Sequence, residues 1–245
     1  MRVQGGRNVY GARVGILVLD TRFPRIPGDI GNAETFDFPV LYQRVPAASP
    51  DRVVRAGDPG LLGAFIEGAR ALEHEGVRAI TTSCGFLAKF QDQLAAAVRV
   101  PVFTSNLLVV PLVARMLGPG RAVGVLTVEA ASLRPDHLRG AGIPPDLPLA
   151  IAGLEGEGSG VFTQSLLNDK PELDVAACRA EHRAAARRLV AARPEVGAIV
   201  LECTNMPPYR ADIQAVTGLP VFDITDLVRL IHAGLPPDFP DIAPP

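Results

Sequence analysis

The sequence predicts an α/β protein made of two pseudo-symmetric parallel-sheet domains, each with helices on both faces of its sheet. Short apolar runs alternate with helix-like segments along the chain, which is typical of parallel sheets covered by crossover helices. The order of these segments in the first half recurs in the second half. With 245 residues, 48% of them hydrophobic and 20% charged, the chain has the length and composition for two packed units.

The first predicted domain, residues 1–121, contains four strands and three helices. Its opening run, RVGILVLD, is continuously apolar and ends in a polar residue, as expected of a buried parallel strand. Asp58 followed by Pro59 is a typical helix start, and Gly76 is typical of the position just past a helix end. The predicted strands span 13–20, 38–44, 77–83 and 100–104, and the predicted helices span 58–74, 85–98 and 107–117.

The second predicted domain, residues 122–245, repeats this plan with four strands and four helices. A long Ala- and Arg-rich segment before Pro194 has strong helix propensity. The predicted strands span 122–128, 148–154, 196–201 and 219–222, and the predicted helices span 134–139, 172–192, 207–216 and, at the end, 224–233. The sequence leaves open whether this final helix packs back onto the first domain.

Two cysteines mark the internal repeat. Cys84 and Cys203 lie 119 residues apart, and the same spacing separates VPVF at 100–103 from LPVF at 219–222. Each cysteine follows a predicted buried strand and precedes a predicted helix. Ligands of open α/β sheets bind beyond the carboxyl ends of the strands. We therefore expect both cysteines to face an active site in the cleft between the two domains.

Composition and motif content argue against several classes of function. The 24 Lys and Arg residues nearly balance the 26 Asp and Glu residues, so the chain carries no basic signature of nucleic-acid or membrane-surface binding. The sequence has no run of about 18 apolar residues, no metal-ligand spacing among its histidines and no phosphate-binding glycine motif. We expect a cytoplasmic protein that binds no nucleic acid, no membrane and no metal.

Two facing thiols suit one chemistry in particular. A cysteine at a strand end and helix start lies near backbone N–H groups and the positive end of the helix dipole, which favour the thiolate. One thiolate can remove a proton from a carbon next to a carboxylate or carbonyl, and the other thiol can return a proton to the opposite face. This pair of steps inverts configuration without a cofactor.

The segments around both cysteines resemble a known family. TSCG at 82–85 and ECTNMP at 202–207 are similar to the two cysteine motifs of the aspartate/glutamate/hydantoin racemase superfamily. LDT at 19–21 is similar to the Asp-Ser motif of that family's first strand. The second cysteine motif is the more specific, because Pro207 follows Thr204 at the family's spacing. The resemblance implies a cofactor-independent racemase or epimerase of amino acids or hydantoin-like compounds, often a homodimer.

The chain also departs from the family pattern. Gly85 and Phe86 stand where the first motif commonly has Asn-Thr, and Asn205 stands where glutamate racemases carry a histidine. Both changes argue against a glutamate racemase. The alternatives left open are a sibling isomerase or decarboxylase of the maleate isomerase or arylmalonate decarboxylase type, and a non-catalytic binder of small molecules.

The candidate residues follow from these motifs. Cys84 and Cys203 are the predicted catalytic pair, whereas Cys178 lies within a predicted helix and is predicted to be structural. The predicted ligand is a small carboxylate or amino-acid-like molecule, and its predicted contacts lie at strand ends. These contacts are Asp20, Thr21, Ser83, Gly85, Thr127, Thr204 and Asn205.

Overall fold

A computed structural model describes residues 2–3, 5–156 and 160–239 of the chain. Within these residues, eight strands form two four-stranded parallel sheets. The first sheet has the strand order β2-β1-β3-β4, and the second has the matching order β6-β5-β7-β8. The strands are β1 (Val14–Leu19), β2 (Val40–Val45), β3 (Ala79–Thr82), β4 (Val102–Phe103), β5 (Ala122–Thr127), β6 (Leu149–Gly153), β7 (Val196–Leu201) and β8 (Val221–Phe222). The predicted fold class is confirmed.

Helices surround both sheets, and several begin with a 3₁₀ turn. They are α1 (Leu62–His74), α2 (Gln91–Ala97), α3 (Val110–Met116), α4 (Pro135–Gly140), α5 (Val161–Leu167), α6 (Val175–Ala192), α7 (Arg210–Thr217) and α8 (Ile224–Gly234). Aspartates cap several of their starts: the Asp174 side chain accepts a hydrogen bond from the Ala177 N–H, and Asp223 accepts one from the Thr225 N–H.

The register of the central strands brings the two cysteines to equivalent places. In the first sheet, Leu17 of β1 pairs with Thr82 of β3, and Cys84 follows two residues later. In the second sheet, Leu126 of β5 pairs with Leu201 of β7, and Cys203 again follows two residues later. Each cysteine therefore lies at the carboxyl end of a central strand, which is where ligands of such sheets bind.

In each half of the molecule, one helix packs against the sheet of the other half. The helix α8, which follows the last strand, buries Ile224, Leu227 and Val228 in a cluster with Val14 and Ile16 of β1. The helix α3 follows β4 and contacts β5 and, through the preceding 3₁₀ turn (Asn106–Val109), β7 of the second sheet. The Asn106 side chain fixes that turn by donating to the Leu201 and Phe222 carbonyls at 3.1 and 3.0 Å.

The structure corrects several element boundaries. The segment predicted as a helix over 85–98 is a 3₁₀ helix, Gly85–Phe90, followed by the shorter α2. The helix predicted from residue 172 begins at Val175, because Asp174 caps it. The sequence analysis did not predict α5 or a π-helical turn at Asp51–Arg55. Both of these elements stand next to the candidate site.

Candidate active site

The two cysteines line one pocket between the halves of the molecule. It is small and largely closed, and it lies at the carboxyl ends of the central strands. Its wall is mostly hydrocarbon. The lining residues are Leu19, Phe23, Pro50, Val54, Ser83, Cys84, Gly85, Phe86, Val128, Leu166, Leu167, Glu202, Cys203 and Asn205. Among these lining residues Glu202 is the sole carboxylate, and no Lys or Arg is present.

Cys84 occupies the first wall of the pocket. Its backbone is extended and starts the 3₁₀ helix Gly85–Phe90, and its side chain is 8% exposed. Burial, reinforced by the nearby charge of Glu202, raises the pKa of the Cys84 thiol to about 12, and a hydrogen bond from the Phe86 N–H opposes this only in part. The expectation that this position favours the thiolate is therefore wrong, because burial outweighs the N–H donor.

Cys203 occupies the opposite wall and has a dedicated hydrogen-bond acceptor. Its Sγ donates to Asn205 Oδ1 at 3.5 Å. Asn205 Nδ2 donates in turn to Asp29 Oδ2 at 2.6 Å, which fixes the amide so that its oxygen faces the thiol. Asp29 is itself held by Arg25 Nη1 at 2.9 Å. Burial and the charge of Glu202 raise the pKa of Cys203 well above its usual value, so this thiol is also neutral at ordinary pH.

Glu202 lies beside both thiols and is fully buried. Thr127 Oγ1 donates to its Oε2 at 2.7 Å, whereas its Oε1 has no hydrogen-bond partner within the described part of the chain. Burial raises the pKa of Glu202 to about 8, and the Thr127 hydrogen bond opposes that shift. The carboxyl group therefore holds a proton at neutral pH, because an unpaired charge in this buried position would be costly.

Gly85 makes room for this carboxyl group. A Cβ atom at position 85 would lie 2.3 Å from both the backbone oxygen and Oε1 of Glu202, a distance that no side chain tolerates. The glycine found where the family commonly has asparagine thus permits the second strand end to approach the first. This contact places the Glu202 carboxyl next to Cys84.

The structure places the predicted contact residues in three different settings. Ser83, Gly85 and Asn205 line the pocket with the two cysteines. Thr127 and Thr204 are fully buried behind it: Thr127 holds Glu202, and Thr204 Oγ1 donates to the Ser83 carbonyl at 2.6 Å, joining the two strand ends. These two threonines support the site and do not line it.

Asp20 and Thr21 do not reach this pocket. They border a separate surface depression together with Arg25 and Tyr42. Asp20 Oδ1 accepts from Arg44 Nη1 at 3.3 Å, and Thr21 Oγ1 accepts from Arg25 Nη2 at 3.2 Å. After Leu19 the chain turns away from the pocket, and it returns to the pocket wall at Phe23. Cys178 is fully buried in α6, away from the two pocket cysteines.

The sequence analysis did not identify several pocket residues. Glu202 was read only as part of the second cysteine motif, although a carboxylate that ends a buried strand is itself a signal of a functional group. Asp29 and Phe23 lie in an irregular segment without periodicity, and Leu166 and Leu167 belong to the unpredicted α5. Burial of these groups depends on tertiary contacts that no local pattern shows.

The described residues contain no group of three or more His, Cys, Asp or Glu side chains arranged to hold a metal ion. None of the described helices is long and apolar enough to cross a membrane.

Curated relatives of the chain include several lyases. The chain is 29% identical over 222 residues to a dimethylsulfoniopropionate lyase of Durusdinium sp. clade D, covering 88% of this chain and 72% of that protein. It is 29% identical over 218 residues to dimethylsulfoniopropionate lyase 7 of Emiliania huxleyi, covering 86% of this chain and 63% of that protein. The chain therefore spans about two thirds of the length of the curated relatives it matches.

Solved structures with a similar fold include a decarboxylase and racemases. Arylmalonate decarboxylase superimposes with a TM-score of 0.61 at 18% identity, covering 91% of this chain and 94% of that one. Allantoin racemase from Klebsiella pneumoniae gives a TM-score of 0.62 at 17% identity, covering 91% and 89%. Glutamate racemase from Bacillus anthracis gives 0.57 at 14% identity, covering 91% and 83%. At these identities the likeness concerns the fold.

These relatives correct the main functional expectation. The sequence analysis favoured an amino-acid or hydantoin-like racemase, but the curated relatives are lyases, and a lyase corresponds to the alternative of a sibling activity on the same scaffold. That the chain is an enzyme is supported, whereas an isomerase is not. The model of the Asp/Glu/Hydantoin racemase family matches residues 46–228, about three quarters of the sequence. The chain belongs to the Asp/Glu/hydantoin racemase family.

Proposed function

We propose that this chain is a lyase that eliminates a substituent from the β-carbon of a small carboxylate, with dimethylsulfoniopropionate as the first substrate to test. The observation that carries the proposal is the similarity, over 86–88% of the chain, to enzymes named dimethylsulfoniopropionate lyases. The buried two-thiol pocket supports it, because the elimination needs a base in a water-poor site.

The elimination breaks one C–H bond and one C–S bond. A base removes a proton from the carbon next to the carboxylate, and the electron pair of that C–H bond forms the carbon–carbon double bond. The bond between the β-carbon and sulfur breaks, and dimethyl sulfide leaves with the bonding pair as a neutral molecule. The products are acrylate, dimethyl sulfide and the protonated base. Because the leaving group needs no proton, one base is sufficient, unlike in a racemase with two.

We assign the base to Cys84. Its sulfur accepts a hydrogen bond from the Phe86 N–H, and the positive charge of Arg25 also favours its thiolate. Cys203 also receives a backbone N–H, from Asn205, but it is less suited because its S–H already donates to Asn205 Oδ1. Asn205 cannot accept a proton, so Cys203 remains a neutral thiol that can donate to the substrate carboxylate. A cationic substrate in the pocket lowers the pKa of Cys84 and so promotes the thiolate.

The test is release of dimethyl sulfide from dimethylsulfoniopropionate, measured in the headspace above the purified protein. We expect activity in the wild type, a loss of about 10²–10⁴-fold in Cys84→Ser, as is typical when a general base is removed, and a smaller loss in Cys203→Ser. Cys178→Ala is the matched control and should stay near wild type, since Cys178 lies outside the pocket. A wild-type protein that releases no dimethyl sulfide, or a fully active Cys84→Ser variant, would overturn the proposal.

A further inference from the structure

We propose that Glu202 binds the cationic group of the substrate, so that the pocket selects small carboxylates bearing a methylated onium centre over neutral or amino-bearing ones. This inference rests on the proposed lyase function and extends it to the choice of substrate. It concerns a residue outside the two cysteine positions. Three features of the pocket carry it.

The first feature is the unused carboxylate oxygen. Glu202 lines the pocket with no exposed surface, and its Oε1 has no hydrogen-bond partner in the part of the chain that the structure describes. Such a group is costly in a folded protein unless a ligand completes it. This oxygen lies 2.3 Å from the position that a Cβ of Gly85 would take, in the residue next to Cys84.

The second feature is the charge of the lining. No Lys or Arg belongs to the described lining residues, so a second negative group would meet no compensating side-chain charge there. Arg25 lies behind Asn205 and is paired with Asp29, with Nη1 2.9 Å from Oδ1. A ligand that carries a positive charge beside its carboxylate is therefore the complementary partner for Glu202.

The third feature is the apolar wall. Phe23, Val54, Phe86, Leu166 and Leu167 line the same pocket with hydrocarbon. A primary ammonium group has three N–H donors and needs several acceptors. A sulfonium or quaternary ammonium group has no donors and spreads its charge over methyl groups, so it matches hydrocarbon walls with one carboxylate. The pocket thus favours a methylated onium centre over the amino group of an amino acid.

The carboxylate is held in place before the ligand arrives. Thr127 Oγ1 donates to Oε2 at 2.7 Å, and the Glu202 N–H donates to the Leu126 carbonyl at 2.9 Å. A preorganised partner loses little conformational freedom when the ligand binds. Because the sulfur loses its charge as the carbon–sulfur bond breaks, this contact stabilises the bound substrate more than the transition state. Its loss should therefore raise KM without lowering kcat.

Binding of a cation must also release a proton. Glu202 holds its proton at neutral pH because burial raises its pKa to about 8, and a cation beside it favours the ionised form. The titratable groups that face it are the thiols of Cys84 and Cys203, whose pKa values lie well above 8. The Arg25–Asp29 pair lies behind Asn205. Proton release between pH 6 and 8 that is lost in Glu202→Gln therefore reports Glu202, whereas release that persists in this variant reports a thiol.

Two ligands of equal shape test the inference. In 3-(trimethylammonio)propanoate a quaternary nitrogen replaces the sulfonium. Its carbon isostere, 4,4-dimethylpentanoate, keeps the carboxylate but has an uncharged tert-butyl head group, and is here called the neutral isostere for that reason. Titration calorimetry at pH 7 should show the cationic ligand binding the wild type about 10- to 100-fold more tightly, the range expected for contacts with a charged group. In Glu202→Gln this preference should vanish, while the neutral isostere keeps its affinity. Glu67→Gln, a change on the exposed face of α1, should behave as wild type.

The same titration in two buffers of different ionisation enthalpy measures the proton. The wild type should release a proton with the cationic ligand and none with the neutral one. Equal affinity of the two isosteres for the wild type overturns the inference without any variant, and so does a cation preference that survives in Glu202→Gln. If the cation preference is present but dimethylsulfoniopropionate is not cleaved, the proposed reaction fails and the binding inference stands. If cleavage occurs without the preference, the inference alone fails.

Discussion

At the scale of single residues, the pocket differs from a two-base site in the partners of its two thiols. Both sulfurs receive a backbone N–H, from Phe86 at Cys84 and from Asn205 at Cys203, and both lie beside the Glu202 carboxyl. Cys203 in addition donates its S–H to the Asn205 side-chain oxygen, which Asp29 fixes in place. Because an amide does not take up the thiol proton at ordinary pH, this contact holds Cys203 in its thiol form. This difference favours a reaction with one base over one that needs two equivalent bases.

The buried carboxyl group of Glu202 makes the stability of the protein depend on pH. Its pKa is raised from 4.5 to about 8 by burial. Below pH 4.5 the group is neutral in both states, and above about pH 8 it is ionised in both. Between these values the unfolded chain has lost the proton and the folded protein retains it, so the free energy of unfolding falls as pH rises. Glu202→Gln removes this dependence and retains the hydrogen bond with Thr127.

We therefore expect Glu202→Gln to gain stability relative to the wild type as pH rises from 5 to 8, on the order of 1–3 kcal/mol. Urea unfolding at pH 5, 6.5 and 8 measures the difference. Comparison at each pH cancels the contribution of other groups, such as His182, whose pKa is lowered to about 4 by burial. Glu67→Gln should show no such trend. A difference between Glu202→Gln and wild type that is the same at all three pH values would contradict the assignment.

At the scale of elements, the short helix α5 and the segment after β1 close the pocket from two sides. Asp169, just past the end of α5, accepts hydrogen bonds from the Arg22 and Phe23 N–H groups with the same oxygen. It does so with a φ of 50°, in the left-handed region that non-glycine residues seldom adopt. Because Phe23, Leu166 and Leu167 line the pocket, this contact joins two of its walls.

We expect Asp169→Ala to loosen those walls, because alanine removes both acceptor contacts and keeps the unfavourable φ. Loss of a hydrogen bond of about 1 kcal/mol should raise local opening roughly fivefold. The measurement is the rate of iodoacetamide labelling at Cys84 and Cys203, resolved by mass spectrometry, with Cys178 as the internal reference. Asp169→Asn retains an acceptor oxygen and should label more slowly than Asp169→Ala. Equal labelling of the Ala variant and the wild type would show that the contact does not control access.

The strands could be predicted from the sequence because each is a short apolar run between turn residues. The central strands β1, β5 and β7 match their predicted spans to within two residues. Helix α5 could not be predicted, since it is seven residues long and follows a segment rich in Gly and Glu that includes residues outside the described part. The 3₁₀ character of Gly85–Phe90 depends on the approach of Glu202 to Gly85, which local propensity does not contain.

The candidate site could be predicted only where it repeats. Cys84 and Cys203 stand out because the duplication places both at strand ends, and the structure brings them to one pocket. Asp20 and Thr21 were expected there on the family motif, yet the chain leaves the pocket after Leu19. The charge state of the thiols was also misjudged, because the helix-start argument omits the cost of burial, which is larger here than the gain from one N–H.

At the scale of the whole molecule, the last helix of each half packs against the sheet of the other half. The first sheet is covered by α8 from the second half of the chain, and the second sheet is contacted by α3 from the first half. A large core cluster also contains residues of both halves, including Leu17 and Val125. Neither sheet can bury its faces without the other half, so we expect one cooperative unfolding transition in place of two.

Two matched core substitutions test this cooperativity. Val228 in α8 and Val113 in α3 are both buried, and truncation of either to alanine should lower the free energy of unfolding by about 1–3 kcal/mol. If the halves fold as one unit, Val228→Ala lowers the hydrogen-exchange protection of the slowest amides in β1 and β5 by the same amount, and so does Val113→Ala. The two strands belong to different sheets, and each helix crosses to the sheet of the other half. Native-state hydrogen exchange at low urea measures both strands in one experiment. Loss of protection confined to β1 in Val228→Ala would show that the halves unfold separately, and the pocket between them would then open without global unfolding.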